Sequence, residues 1–289
     1  MIIYKLIIYV ANCLQGGSDV KENKCKEKNL LYHYTGFLAL EGIIGKGELW
    51  LCNIKAMNDT KEMLHYMSCL EEAVCEKLSS QQKEITHALF HAQLEKLKHR
   101  PVYVSSFSFL KDDAAQWERY ASNGEGICLT FNAEKLKKVC EGHAILQTVF
   151  YTENANESEH TSLIRDYVME GKIDNTKWKS IDEIFENSWI VSSAYKYVSF
   201  KSEKEMRVVS LLFGIENFLG KPQYKMEVWG IREYYILNLN KNIPIQDLIK
   251  EVKIGPKSNV TVDTVQRYLK NLNPDFKKIS VSVSDCSLR

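Results

Sequence analysis

Strand-like and helix-like segments come in blocks along this chain, and that ordering constrains the fold more than any other feature. Short runs rich in aromatic and β-branched residues read as strands, among them Leu30 to Thr35, Glu48 to Ile54, Val102 to Phe109, Ala144 to Tyr151 and Glu205 to Phe213. Two consecutive helices follow Asn58-Asp59-Thr60, whose side-chain oxygens suit an N-cap. The first carries Met63, Leu64, Met67, Leu70 and Val74 at helical spacing; the second runs from Gln81 to Lys98. Helices are also predicted over Ala133 to Val139, Leu163 to Met169, Ile181 to Val198 and Val260 to Leu269. With about nine strands, about six helices and no strict alternation, the pattern reads as α+β rather than a doubly wound sheet. Neither G-x-G-x-x-G nor G-x-x-x-x-G-K-[ST] occurs, which removes the two common phosphate-loop folds.

The hydrophobic share of 45% supports a sizeable core and excludes a disordered chain. At ~150 residues per domain, 289 residues are about two domains, although one large domain fits the same length. The sequence reads as a strand or helix with a polar connector over 1–28, then a single α+β domain over 29–289. Lys5 interrupts the apolar run Met1 to Leu14, which is shorter than the ~20 residues of a membrane span. The expectation is therefore a cytoplasmic protein with no membrane partner. A net charge of +1 supplies no global field for a polyanion. The eight cysteines form no C-x-x-C pair and read as reduced thiols, with Cys52, Cys69, Cys75 and Cys128 as small core hydrophobes. His87 and His91 stand four apart on a helix, but without a third ligand they read as a solvated face, and no metal is expected.

Four segments carry side chains suited to chemistry. Tyr32-His33-Tyr34-Thr35 puts an imidazole and a hydroxyl at a strand end; its plain reading is a packed aromatic strand. Met57-Asn58-Asp59 with Glu62 reads first as a helix cap. Ser106 and Ser108 share a strand face, and Trp117 and Tyr120 share a helix face ahead of Gly124-Glu125-Gly126. Aromatic rings beside hydroxyls suit a flat heterocycle such as nicotinamide or adenine, and equally an ordinary core. Glu203, Glu205 and Arg207 alternate at the start of an apolar strand. A carboxylate there suits a ribose hydroxyl or a cation developing on a sugar, and Arg207 suits a carboxylate or a phosphate. The plain alternative is a solvated charged face.

Taken in order, these segments resemble the bacterial domain-of-unknown-function family 2971. The shared features are Tyr32–Thr35, Gly47–Cys52, Met57–Glu62, Ser106–Ser108, Trp117–Phe131, Glu203–Arg207 and Leu248–Pro256. Met206 stands where that family usually has Trp, and Cys52 where it has Ser. The family in turn looks distantly similar to the ADP-ribosyltransferase superfamily, through an H-x-T strand, a central aromatic residue and a late strand-borne Glu. That resemblance implies split mixed or antiparallel sheets with helices clustered around them, and NAD as a substrate. It implies an ADP-ribosyltransferase or NAD glycohydrolase, of the kind found among bacterial toxins and phage-defence effectors.

The implied roles follow residue by residue. His33 and Thr35 would hold ribose hydroxyls and the carboxamide, with Tyr34, Ser106 and Ser108 lining the site. Trp117 or Tyr120 would stack on nicotinamide. Glu205 would steady the oxocarbenium-like transition state, Glu203 would orient the acceptor, and Arg207 would fix the carboxylates. The resemblance leaves open which acid is catalytic, and whether the acceptor is nucleic acid, protein or water. It is compatible with a regulatory partner protein. The alternatives are a nucleotide-binding sensor without turnover and a protein-interaction module.

Overall fold

The computed structural model describes residues 29–56, 62–153, 158–172, 180–210, 219–228 and 230–288. The segment 1–28 and the whole Met57-Asn58-Asp59 stretch lie outside these residues. Twelve strands occur among the described residues. They are β1 (Leu30–Thr35), β2 (Glu48–Asn53), β3 (Tyr103–Ser108), β4 (Ile127–Asn132), β5 (Ala144–Thr148), β6 (Phe150–Thr152), β7 (Tyr195–Tyr197), β8 (Glu205–Ser210), β9 (Gln223–Glu227), β10 (Gly230–Asn238), β11 (Ile249–Ile254) and β12 (Ser280–Val283). The α-helices are α1 (Leu38–Leu40), α2 (Glu62–Cys75), α3 (Ser80–Leu97), α4 (Ala114–Tyr120), α5 (Ala133–Cys140), α6 (Glu159–Glu170), α7 (Ile181–Ser192), α8 (Ile245–Leu248) and α9 (Val262–Leu272). The architecture is mixed α+β.

The chain forms two compact units that interleave in sequence. One, over Asn53–Val102 and Val149–Ser202, holds α2, α3, α6 and α7 with a parallel pair, β6 and β7. Its helices meet through Phe90 and Phe185, edge to face at 4.8 Å. The Arg165 guanidinium donates to the carbonyls of Ala73 (2.7 Å) and Val74 in the last turn of α2. These carbonyls have no intrahelical partner of their own, so a buried cation satisfies them at little cost.

The other unit comprises the described parts of Lys21–Cys52, Tyr103–Thr148 and Glu203–Arg289. It is built on a ten-stranded sheet in the order β12-β11-β4-β1-β3-β2-β10-β9, with β8 pairing both β3 and β5 off that path. β1 with β3 and β4, β10 with β2 and β9, β11 with β4, and β8 with β3 and β5 pair antiparallel, whereas β11 and β12 pair parallel. Alternation sorts the side chains. Leu31, Leu51, Phe107, Leu129, Val208 and Leu237 go to one face and join a core to which α5, α8 and α9 add Leu136, Leu248 and Leu269. Each such burial contributes about 1.5–3 kcal/mol. The opposite face carries Tyr32, Tyr34 and Cys128, covered by Trp117 and Ala121 of the α4 region.

Several boundaries differ from the sequence reading, three of them with a clear local cause. The strand predicted over 144–151 is two strands, β5 and β6, one in each unit. The helix predicted to Val198 stops at Ser192. There the Ser192 and Ser193 hydroxyls donate to the carbonyls of Trp189 and Ile190, competing with a further turn, and Tyr195–Tyr197 then pairs as a strand. The helix predicted from Leu163 begins at Glu159, because the Ser158 hydroxyl accepts from the Thr161 amide. Cys69, Cys75 and Cys128 are buried as expected, whereas Cys52 is half-buried. No helix of the described residues is long and apolar enough to cross a membrane.

The G-x-G and G-P segments meet, with the Gly255 amide donating to the Gly126 carbonyl at 2.9 Å. A Cβ on Gly126 would stand 2.3 Å from the Thr35 carbonyl oxygen, which is backbone and has no room to yield. We expect Gly126→Ala to destabilise the fold by about 1–3 kcal/mol in urea unfolding. Gly45→Ala meets ordinary contacts from 3.6 Å outward and should stay within about 0.5 kcal/mol.

Candidate functional site

Strand register decides which of the candidate residues share a surface. Ser108 lies opposite Glu205 across β3 and β8, and opposite Tyr32 across β3 and β1; Ser106 lies opposite Arg207. Directly opposed residues point to the same face. Tyr32, Ser106, Ser108, Glu205 and Arg207 therefore share the face that α4 covers.

Helix α4 is set over this face by local chemistry. Asp113 caps it, accepting from the Gln116 amide at 3.0 Å. The Tyr34 hydroxyl donates to the Leu110 carbonyl (2.9 Å) and accepts from the Asp113 amide (3.0 Å), tying β1 to the β3–α4 loop. Burial pushes that phenol well above its ordinary range. Asp112 accepts from Trp117 Nε1 at 2.7 Å, from the Asp285 amide at 2.8 Å and from the Ser284 hydroxyl. These bonds hold its carboxyl below the usual range against a burial effect in the other direction.

From the last turn of α4, the Tyr120 hydroxyl donates to Glu203 Oε1 at 2.7 Å, and Arg119 Nη1 reaches the same oxygen at 3.3 Å. The Glu203 carbonyl accepts from the Ser108 hydroxyl at 2.8 Å and from Gln116 Nε2 at 3.4 Å. Glu203 precedes β8, in a short 3₁₀ segment, rather than standing in the strand as predicted. Two residues on, Glu205 is clamped by Arg207, whose Nε and Nη2 donate to its two oxygens at 2.7 and 3.1 Å. All three side chains are buried, Arg207 completely. Lys204, between the two acids, has φ 43°. Asp112, Ser122 and Asn123 are the other non-glycine residues with positive φ among the described residues, and they flank α4. Such backbone costs of order 1–3 kcal/mol per residue and persists where the surroundings over-determine it.

The structure brings Tyr120, Glu203, Glu205 and Arg207 together, with Ser108 beneath them. His33 goes elsewhere. One residue along from Tyr32, it points to the core face, with Phe107 and Phe131 at ring-centroid distances of 5.2 and 6.4 Å. Its Nδ1 lies 2.8 Å from the Ser106 carbonyl, which only accepts, so Nδ1 carries the proton and Nε2 the lone pair of the neutral ring. Burial lowers its pKa, against an opposing effect of that hydrogen bond. Thr35 is half-buried at the end of β1. Trp117 is fully buried, edge-on to Tyr34 at 5.0 Å, so no ring face is open for stacking; Tyr120 is 37% exposed. The Ser106 hydroxyl is buried with no hydrogen-bond partner among the described residues. Arg119 and Gln116 were not singled out from the sequence, and Asp112 reads there only as an alternative to Asp113 for the cap of this helix. Arg119 and Gln116 had a signal, since both stand within a turn of the chosen aromatics. His87 pairs with Glu71 at 2.7 Å.

Residues 116–208 match the family model described as "Protein of unknown function (DUF2971)". The matched span includes Tyr120, Glu203, Glu205 and Arg207 and leaves out His33, Ser106 and Ser108. No curated protein and no solved structure gave a significant match.

Two outcomes follow for stability. Arg207→Met strands a buried carboxylate and should cost about 3–5 kcal/mol, while adding Glu205→Gln should recover part of that loss in urea unfolding. His33 and His143 are both lowered by burial. Their contribution is present above the ordinary histidine value of about 6.5 and is lost as pH falls through it towards the folded values. The urea midpoint should therefore drop between about pH 7.5 and 5, and drop less steeply in His33→Gln.

Proposed function

We propose that this chain cleaves the N-glycosidic bond of a nicotinamide dinucleotide, with NAD as substrate. The observation that carries the reading is the Tyr120–Glu203 hydrogen bond of 2.7 Å, on a buried carboxylate two residues before the Glu205–Arg207 pair. Breaking the N-glycosidic bond sends its electron pair to nicotinamide and leaves positive charge on the ribose. A carboxylate fixed in advance stabilises that charge without reorganising. In this reading Glu203 faces the ribose, because its partners Tyr120 and Arg119 reach the solvent side, whereas both Glu205 oxygens are engaged by buried Arg207. Glu205 and Arg207 are positioning residues. Tyr120 supplies the exposed ring, and the Ser106 hydroxyl is a donor in reserve on the same face. His33 braces β1 against β3 through the Ser106 carbonyl and acts at a distance. An acceptor nucleophile then adds to the ribose carbon and gives up its proton. The register between β1 and β3 is the pair Tyr32–Ser108, and a junction that short supports a likeness to the split sheets of ADP-ribosyltransferases.

A second reading, nucleotide binding without turnover, is favoured by the neutralisation of Glu205. The purified chain with NAD separates the two. We expect nicotinamide release that falls by about 10²–10³ in Glu203→Gln. Thermal stabilisation by NAD without release would favour the sensor. Neither release nor stabilisation, with cell lysate as acceptor source, would overturn the proposal, and release undiminished in Glu203→Gln would return the role to Glu205.

A further inference from the structure

The ten-stranded sheet ends on β9, and this end is apolar where solvent should meet it. Tyr224, Met226 and Ile231 are 61, 75 and 58% exposed. Ile231 lies opposite Met226, and Glu233 opposite Tyr224, so the three apolar side chains continue the face that holds buried Tyr235 and Leu237 further in. Exposed apolar surface on an edge strand is a template for pairing with another chain. The other face of β9 carries Lys225 and Glu227, 3.2 Å apart, with Lys225 also over the Trp50 ring.

We propose that β9 pairs antiparallel with β9 of a second copy of this chain, about a two-fold axis at Met226. The argument is charge complementarity. Lys225-Met226-Glu227 read against its own reverse sets Lys225 opposite the partner's Glu227, and Glu227 opposite the partner's Lys225. The Lys225–Glu227 pair on each strand, whose acid also meets Arg232 of β10 at 3.5 Å, then alternates in sign with its counterpart across the axis. A two-fold axis at Lys225 would instead oppose like charges, which is destabilising. The same pairing sets Met226 against its counterpart and brings Tyr224 towards the turn residue Val228, which is fully exposed in the single chain. The contact is isologous and closes on itself, so it yields a dimer rather than a filament. It stands independently of the nucleotide reading.

The test is sedimentation equilibrium of the full chain over a wide concentration range, on the unmodified protein and two variants. The unmodified chain should show a concentration-dependent dimer. Lys225→Glu opposes two pairs of acids across the axis and should raise the dissociation constant about tenfold or more. The double exchange of Lys225→Glu with Glu227→Lys restores complementarity and should restore the dimer. A monomer at every concentration overturns the proposal. So does a dimer indifferent to both variants, which would place the contact elsewhere or in another register.

Discussion

Arg207 is a charged side chain with no solvent exposure, carried by a strand hydrogen-bonded on both edges. An unpaired guanidinium there would cost several kcal/mol, so the bidentate bond from Glu205 is a condition of folding rather than an addition to it. The pair also pins register. Arg207 lies opposite Ser106 on one side and Gln147 on the other, both polar. A slip of one residue would turn the guanidinium into the core with Val208 and bring that valine out among serines.

Once β8 is held in that register, the rest of the α4-covered face follows. Glu205 must lie opposite Ser108, and the Ser108 hydroxyl must find the Glu203 carbonyl one step before the strand. Lys204, between the two acids, takes a left-handed conformation where the 3₁₀ segment passes into β8. Helix α4 then brings Tyr120 and Arg119 to Glu203, held by Asp113 at one end and by Trp117 on Asp112 within it. The strained residues lie around this helix. A carboxylate held in one place is the outcome.

Most elements were legible. Aromatic and β-branched runs marked β1, β3, β4 and β8, while the helical spacing of apolar residues marked α2, α3 and α9. The misses have local causes. Ser192 and Ser193 end α7 through hydroxyl bonds that no apolar periodicity records, and Ser158 starts α6 a turn early. Of the candidate residues, Tyr120, Glu203, Glu205 and Arg207 come together. Trp117 shares a helix face with Tyr120 by spacing, yet it sits deep under the helix while Tyr120 stands at its rim.

Turn chemistry, side-chain periodicity and composition settled the class of fold and the identity of the residues able to do chemistry. Those properties are local, and a window of a few residues contains them. Which face each candidate occupies was decided only when strands paired. His33 and Tyr32 are neighbours in the chain, but the pleat sends one to the phenylalanine core and the other towards Glu205. No inspection of β1 alone tells which face will hold the acids. That assignment comes from Tyr32 meeting Ser108, 76 positions along the chain, because a two-residue period fixes sides only relative to a partner strand.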